Sequence, residues 1–178
     1  MHDQPKYIPL RSSDFFADGR SARPPVDGTV ARGHLREDVH FYTGFVAGRP
    51  AEELPFPATR EVLLRGQDRF NIYCTPCHSR VGDGNGIIVQ RGFRRPMSFH
   101  TDPLRKMPIG HFYDVMTRGF GAMPDSSAQL SPRDRWAVAA YIRALQLSQN
   151  ATLADVPAAE RDRLGEPQPA PPSGGQPQ

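Results

Sequence analysis

The chain has 178 residues, with 19 Pro and 16 Gly, and 38% of it is hydrophobic. That density of helix breakers excludes a long helical bundle or a coiled coil, and no run approaches the length of a membrane span. The net charge of +3 is uneven: residues 59–148 hold 13 basic and 7 acidic residues, while 1–58 and 149–178 are each slightly acidic. Seven prolines fall in 1–58 and six in 149–178, so the sequence predicts a compact basic domain over 59–148 between two loop-rich segments. The basic residues are scattered and lack an interleaved aromatic motif, which argues against nucleic acid as a partner. The opening His2-Asp3-Gln4-Pro5 has neither the basic stretch nor the apolar core of a signal peptide.

In chain order, residues 1–58 show little periodicity and many turn signals, among them Pro24-Pro25, Gly28, Gly33, Gly44 and Gly48. They still carry Tyr7, Phe15, Phe16, Phe41, Tyr42 and Phe45, too many apolar groups for a solvated linker. His40-Phe41-Tyr42 has the composition of a short strand. Residues 59–73 predict a helix, with Thr59 as N-cap and Val62, Leu63, Gly66, Phe70 and Tyr73 on one side. Residues 79–106 read as irregular: Gly82-Asp83-Gly84-Asn85-Gly86 is turn chemistry, and Pro96 and Pro103 interrupt any helix. Residues 109–118 predict a short helix with Phe112, Val115 and Met116 inward, ended by Gly119. Residues 132–147 give the clearest helix. Ser131 caps it, Pro132 opens it, and Val138, Tyr141, Ile142 and Leu145 form its stripe, with Trp136 at the edge. The final stretch, 165–178, has the composition of a disordered tail.

Both cysteines lie in Cys74-Thr75-Pro76-Cys77-His78. A structural zinc site needs four ligands, and no second cysteine pair exists. A thioredoxin-type disulfide needs a βαβ setting, whereas here a helix precedes the motif and turns follow it. Covalent haem attachment satisfies the pattern: two thiols three residues apart can add to two vinyl groups, and the next residue, His78, reaches the iron. A sixth iron ligand can be Met, His or water. Met116 lies mid-helix, and Met97 reads as loop filling. Met107 and Met123 each precede a proline, which biases the backbone toward an extended form suited to a presented ligand. Met123 lies between two helices in Gly119-Phe120-Gly121-Ala122-Met123-Pro124 and is the favoured candidate, with Met107, His100 and His111 as alternatives.

The order helix, CxxCH, irregular loops, short helix, Met-Pro and final helix resembles a class I cytochrome c over residues 59–148. The resemblance implies a mainly α fold, three to four helices around one covalent haem c. A long irregular N-terminal arm (1–58) and a Pro/Gln/Gly-rich C-terminal tail (149–178) would flank it. It also implies a crossing of the first and last helices at Gly66, Phe70 and Tyr141. The family often has a Pro about a dozen residues beyond the histidine, whose carbonyl accepts the imidazole N–H, but residues 79–95 contain none.

A narrower resemblance rests on MHDQPKYIPL (1–10), SDFFADGRSARPPVDGTVARG (13–33), GQDRFNIYCTPCH (66–78), GDGNGIIVQRGF (82–93) and residues 119–145. These are similar to the monohaem cytochrome c subunit of alternative complex III, a bacterial quinol:electron-acceptor oxidoreductase. The resemblance implies electron transfer without catalysis of its own, through haem held by Cys74, Cys77, His78 and Met123. Its implied partners are a multihaem cytochrome, an iron–sulfur subunit and a downstream soluble carrier or terminal oxidase. The implied place is the periplasmic face of the bacterial inner membrane, peripheral to it. Members of that family carry a lipid anchor on an N-terminal Cys, which the present sequence lacks. The alternative is a freely diffusing periplasmic carrier. Arg91, Arg94 and Arg95 are candidates to pair with haem propionates, and the basic middle domain suits an acidic acceptor.

Overall fold

The computed structural model describes residues 4–161 and 164. Two compact units divide the chain, one ending at Glu37 and one beginning at Asp38.

In the first unit the described residues form no helix, and one isolated bridge joins Ser12 to Arg20. The Ser13 N–H donates to the Gly19 carbonyl at 3.0 Å, and Ser21 Oγ lies 2.6 Å from the Ile8 carbonyl and 2.7 Å from that of Arg11. These bonds close residues 8–21 into a loop. The rings of Tyr7, Phe15 and Phe16 gather with centroids 5.0 to 6.3 Å apart, and the Arg23 guanidinium covers Phe16 at 4.3 Å. Clustering shields part of the apolar area locally, yet Tyr7, Leu10 and Phe15 stay exposed.

The second unit begins earlier than the sequence suggested. His40-Phe41-Tyr42 is helical: α1 spans Val39–Thr43, and the Asp38 side chain caps it by accepting from the Phe41 N–H at 2.8 Å. Strands β1 (Phe45–Val46) and β2 (Arg49–Pro50) form a two-stranded antiparallel hairpin, with Phe45 opposite Pro50. Helix α2 spans Arg60–Tyr73, capped by Thr59. Three short helices follow: α3 (Thr75–His78), α4 (Ile87–Gln90) and α5 (Asp102–Lys106). Helix α6 is Ile109–Arg118 and α7 is Pro132–Asn150, capped by Ser131 as its sequence predicts. A 3-10 turn (Leu153–Asp155) and α8 (Ala158–Arg161) end the described chain. The expected disordered stretch 165–178 lies outside the described residues.

Helices α2 and α7 cross where Gly66 meets Ala137. A Cβ on Gly66 would stand 2.0 Å from the Ala137 carbonyl oxygen, so only glycine permits this approach. Phe70 fills the adjoining space against Tyr141, with centroids 5.4 Å apart. The expected trio therefore meets. Phe70 is fully buried, a contribution of about 2 kcal/mol.

Residues 38–58 belong to this unit because its core reaches into them. The Trp136 indole N–H donates to the Phe41 carbonyl at 2.8 Å, and the Tyr113 hydroxyl donates to the Tyr42 carbonyl at 3.1 Å. The Ala51 N–H donates to the Gly44 carbonyl, and the Gly110 N–H at the start of α6 donates to the Ala51 carbonyl, each at 2.8 Å. Trp136, expected at the edge of its stripe, is consequently 0% exposed and stacks on Tyr113 at 4.5 Å. Val115 is half-buried, and Tyr113 takes the inward place on α6.

Candidate haem site

The backbone delivers the CxxCH motif as one tight helical turn. Helix α2 ends at Cys74, whose N–H still donates to the Phe70 carbonyl at 2.9 Å. The N–H groups of Cys77 and His78 both donate to the Cys74 carbonyl, at 3.2 and 2.9 Å. Pro76 suits the first turn of α3, where its missing N–H costs nothing. Positions i, i+3 and i+4 share a face of a helix, so this turn sets both thiols and the imidazole on one side.

The loop after His78 locks the turn from outside. The Gly84 N–H donates to the His78 carbonyl and the Gly86 N–H to the Cys77 carbonyl, each at 3.0 Å. A Cβ on Gly86 would lie 2.2 Å from the Pro76 oxygen and 2.6 Å from that of Thr75. Gly84 has φ +79, and a Cβ there would meet the Pro96 oxygen at 2.4 Å. Ser79 adopts φ +61 and donates from Oγ to Asp83 Oδ1 at 2.5 Å. That bond, with the Asn85 N–H at 2.9 Å, holds the Asp83 carboxyl below its ordinary pKa.

His78 lies against the core. Its ring stacks on Phe99 at 4.7 Å with planes 12° apart, and burial pushes its pKa down to about 4. The imidazole is therefore neutral at physiological pH, the form in which a histidine ligates a metal. Its Nδ1 is buried without a hydrogen-bond partner. Both cysteines are free thiols; Cys74 is half-buried, and desolvation pushes its pKa up to about 12, while Cys77 is exposed. Cys74 packs against the main apolar cluster, which includes Phe70, Phe99, Phe112, Met116 and Trp136.

Met123 packs against that same cluster. It sits in a tight turn closed by mutual backbone bonds with Phe120, at 3.0 and 2.9 Å. The other methionines are placed differently: Met116 is buried inside α6, while Met97 and Met107 are exposed. His100 is engaged with the Val81 carbonyl at 2.6 Å, and His111 leans edge-on against Phe112. Arg91 and Arg94 are exposed, and Arg95 donates to the Asp83 carbonyl at 2.9 Å. The structure thus brings Cys74, His78 and Met123 to one apolar cluster.

Three participants escaped the sequence reading. Phe99 against His78 carried no local signal. The clamp of Gly84 and Gly86 had one: glycines at alternate positions directly after CxxCH. Arg135 stood as a charged residue one turn ahead of Val138 and two ahead of Ile142 on the apolar stripe of α7.

This donor set fits a haem. Two free thiols share a helical turn with a neutral imidazole that has one buried, unpartnered nitrogen, and a thioether abuts the same apolar wall.

Residues 61–142 match the model of a family described as cytochrome c oxidase, cbb3-type, subunit III. The match runs from the first turn of α2 into α7 and takes in CxxCH and Met123; it supports a cytochrome c domain over those residues, and such a domain implies haem electron transfer. Among solved structures the chain is similar to a Kuenenia stuttgartiensis reducing HAO-like protein complex, at 26% identity and a TM-score of 0.45. That similarity covers 52% of this chain and 47% of the other, so the chain spans about half the length of that structure. No curated protein matches the sequence.

Proposed function

We propose that this protein carries electrons through a single haem c, bound covalently by Cys74 and Cys77 and ligated by His78 and Met123, in a class I cytochrome c fold. The observation that carries the reading is the CxxCH turn itself, clamped by Gly84 and Gly86 and facing the cluster that also receives Met123. The haem supplies a one-electron iron couple when bound. The chain's own residues do the rest. The two thiols fix the macrocycle, and burial keeps the His78 imidazole neutral. A thioether ligand and an apolar wall both favour the reduced, less charged state. No step requires a general acid or base, so no catalytic residue is assigned.

We further propose that the chain is the monohaem subunit of an alternative complex III-type quinol-oxidising assembly at the periplasmic face of the inner membrane. It would receive electrons from multihaem and iron–sulfur subunits and pass them to a soluble carrier or terminal oxidase. Two features support this. The first unit exposes Tyr7, Leu10 and Phe15, an apolar area that suits a protein neighbour. Among the described residues no helix is long and apolar enough to cross a membrane, so attachment would come through that neighbour or a lipid.

Haem staining on a denaturing gel tests the first proposal. Wild type should stain, and Cys74→Ser/Cys77→Ser should not; staining in the double variant would overturn covalent attachment. For the second, a chain lacking residues 2–37 should keep its haem spectrum yet fail to co-purify with membrane partners. Stoichiometric co-purification would refute the docking role, and a wild-type chain that elutes alone would favour the freely diffusing carrier.

A further inference from the structure

Arg135 lies on α7 between Asp134 and Trp136 and is only 5% exposed. Among the described residues it makes no ion pair. Its Nη1 donates to the Leu130 carbonyl at 2.8 Å and reaches the Ser127 carbonyl at 3.5 Å. Its Nη2 donates to the Tyr113 hydroxyl at 3.1 Å, and the guanidinium lies 5.0 Å from the centre of that ring. Nε is buried without a partner. Asp125 feels this charge, but its carboxylate is at the surface and is occupied by the Ser127 hydroxyl at 2.7 Å and N–H at 3.2 Å.

A buried guanidinium with no carboxylate is costly, and a neutral side chain of similar volume is commonly the more stable choice. A role in directing structure therefore accounts for it better than a role in stability. What Arg135 grips is the turn that follows Met123-Pro124. The Ser126 N–H donates to the Met116 carbonyl at 2.8 Å, and Leu130, 1% exposed, anchors the far end. On the other side, Tyr113 is fixed by its stack on Trp136 and by its bond to the Tyr42 carbonyl. One cation thus joins α6, α7 and the Met123 loop at a single buried point.

We propose that Arg135 is a positioning residue for the sixth ligand. By fastening the Ser127–Leu130 turn to Tyr113, it fixes the loop that presents Met123 and so sets how firmly the Met123 sulfur holds iron. This rests on the ligand reading given above. Removing a charged donor from a loop raises the share of molecules in which the loop has swung away. An exogenous ligand then binds in proportion to that share.

The test uses the full-length, haem-loaded protein with imidazole as the probe of the ferric iron. Arg135→Met keeps the length of the side chain and removes every donor. It should bind imidazole about tenfold more tightly than wild type, the scale of one lost charge-assisted bond. It should also lose part of the red absorption that a thioether gives with ferric haem, while haem staining is unchanged. Tyr113→Phe removes only the hydroxyl that Nη2 meets, and should shift both readouts the same way by less. If both variants keep wild-type imidazole affinity and absorption, whatever happens to their urea midpoints, Arg135 merely supports the fold and the proposal fails. If Arg135→Met does not fold, Tyr113→Phe decides on the same two readouts. If wild type lacks the thioether absorption, or Met123→Ala retains it, the ligand reading itself is wrong and the proposal falls with it.

Discussion

The loop after His78 and the loop carrying Met123 are fastened by different means. Residues 79–86 are fastened to the CxxCH turn by backbone, with side-chain bonds from Ser79, Arg95 and His100 around them. Gly84 and Gly86 donate to the carbonyls of the CxxCH turn, and the main chain passes so close that Gly86 has no room for a Cβ. Residues 119–130 are held by their own turn at Phe120 and Met123, by one main-chain bond from Ser126 to Met116, and by side chains, chiefly Arg135. Main-chain fastening leaves little freedom, because nothing can rotate out of the way. A side-chain tether can be shortened, neutralised or released. On this view the His78 side is the fixed wall of the site and the Met123 side the adjustable one.

The largest expected effect tests the fixed wall. Gly86→Ala would drive a methyl group into the Pro76 and Thr75 carbonyls, at 2.2 and 2.6 Å, where only backbone can move. It should destabilise the protein by about 3 kcal/mol, read from urea unfolding. A loss under about 1 kcal/mol would show that the wall gives way and would break the contrast between the loops.

Met123→Ala probes the adjustable side. Met123 is half-buried, so its truncation should cost about 1–2 kcal/mol, less than the glycine substitution. The spectroscopic change should be large. Carbon monoxide should bind the reduced variant readily and leave wild type little altered. A variant that excludes carbon monoxide as well as wild type does would remove Met123 from the iron.

The contrast also explains what could be read from sequence. Helices α2, α6 and α7 were legible because cap residues and apolar spacing are local signals, and Thr59 and Ser131 act as their identities suggest. The glycine at the α2–α7 crossing was legible through family likeness. Residues 38–58 were not, because their assignment depends on carbonyls of Phe41 and Tyr42 that meet Trp136 and Tyr113 some 70 to 95 positions away. No local pattern encodes that pairing. The candidate ligands were read from CxxCH and Met-Pro. Phe99 and Arg135 were not, since their roles arise only when distant segments meet.

A smaller effect separates strain from bonding at Ser79. Its φ of +61 with ψ 168 is a conformation nearly reserved for glycine, and its hydroxyl bonds Asp83 at 2.5 Å. Ser79→Ala should lose the bond and keep the strain, lowering stability by about 1 kcal/mol. Ser79→Gly loses the same bond but relieves the strain, so it should be about 1 kcal/mol more stable than the alanine variant. Equal urea midpoints for the two would mean that this wall stores no strain.

The smallest effect concerns acid. The Asp83 carboxyl is held below its ordinary 3.8, first by the Ser79 hydroxyl and then by the Asn85 N–H. A carboxylate with a depressed folded-state pKa stabilises the fold above its unfolded value. That contribution fades as pH falls below 3.8 through the folded value. Because Asp83 is close to solvent, screening keeps the contribution small. Asp83→Asn should lower the melting temperature by about 1–2 °C at pH 6, and the deficit should close as the pH falls through the folded-state value. A deficit in Asp83→Asn that persists unchanged at low pH would assign the loss to geometry in the loop rather than to the charge of the carboxylate.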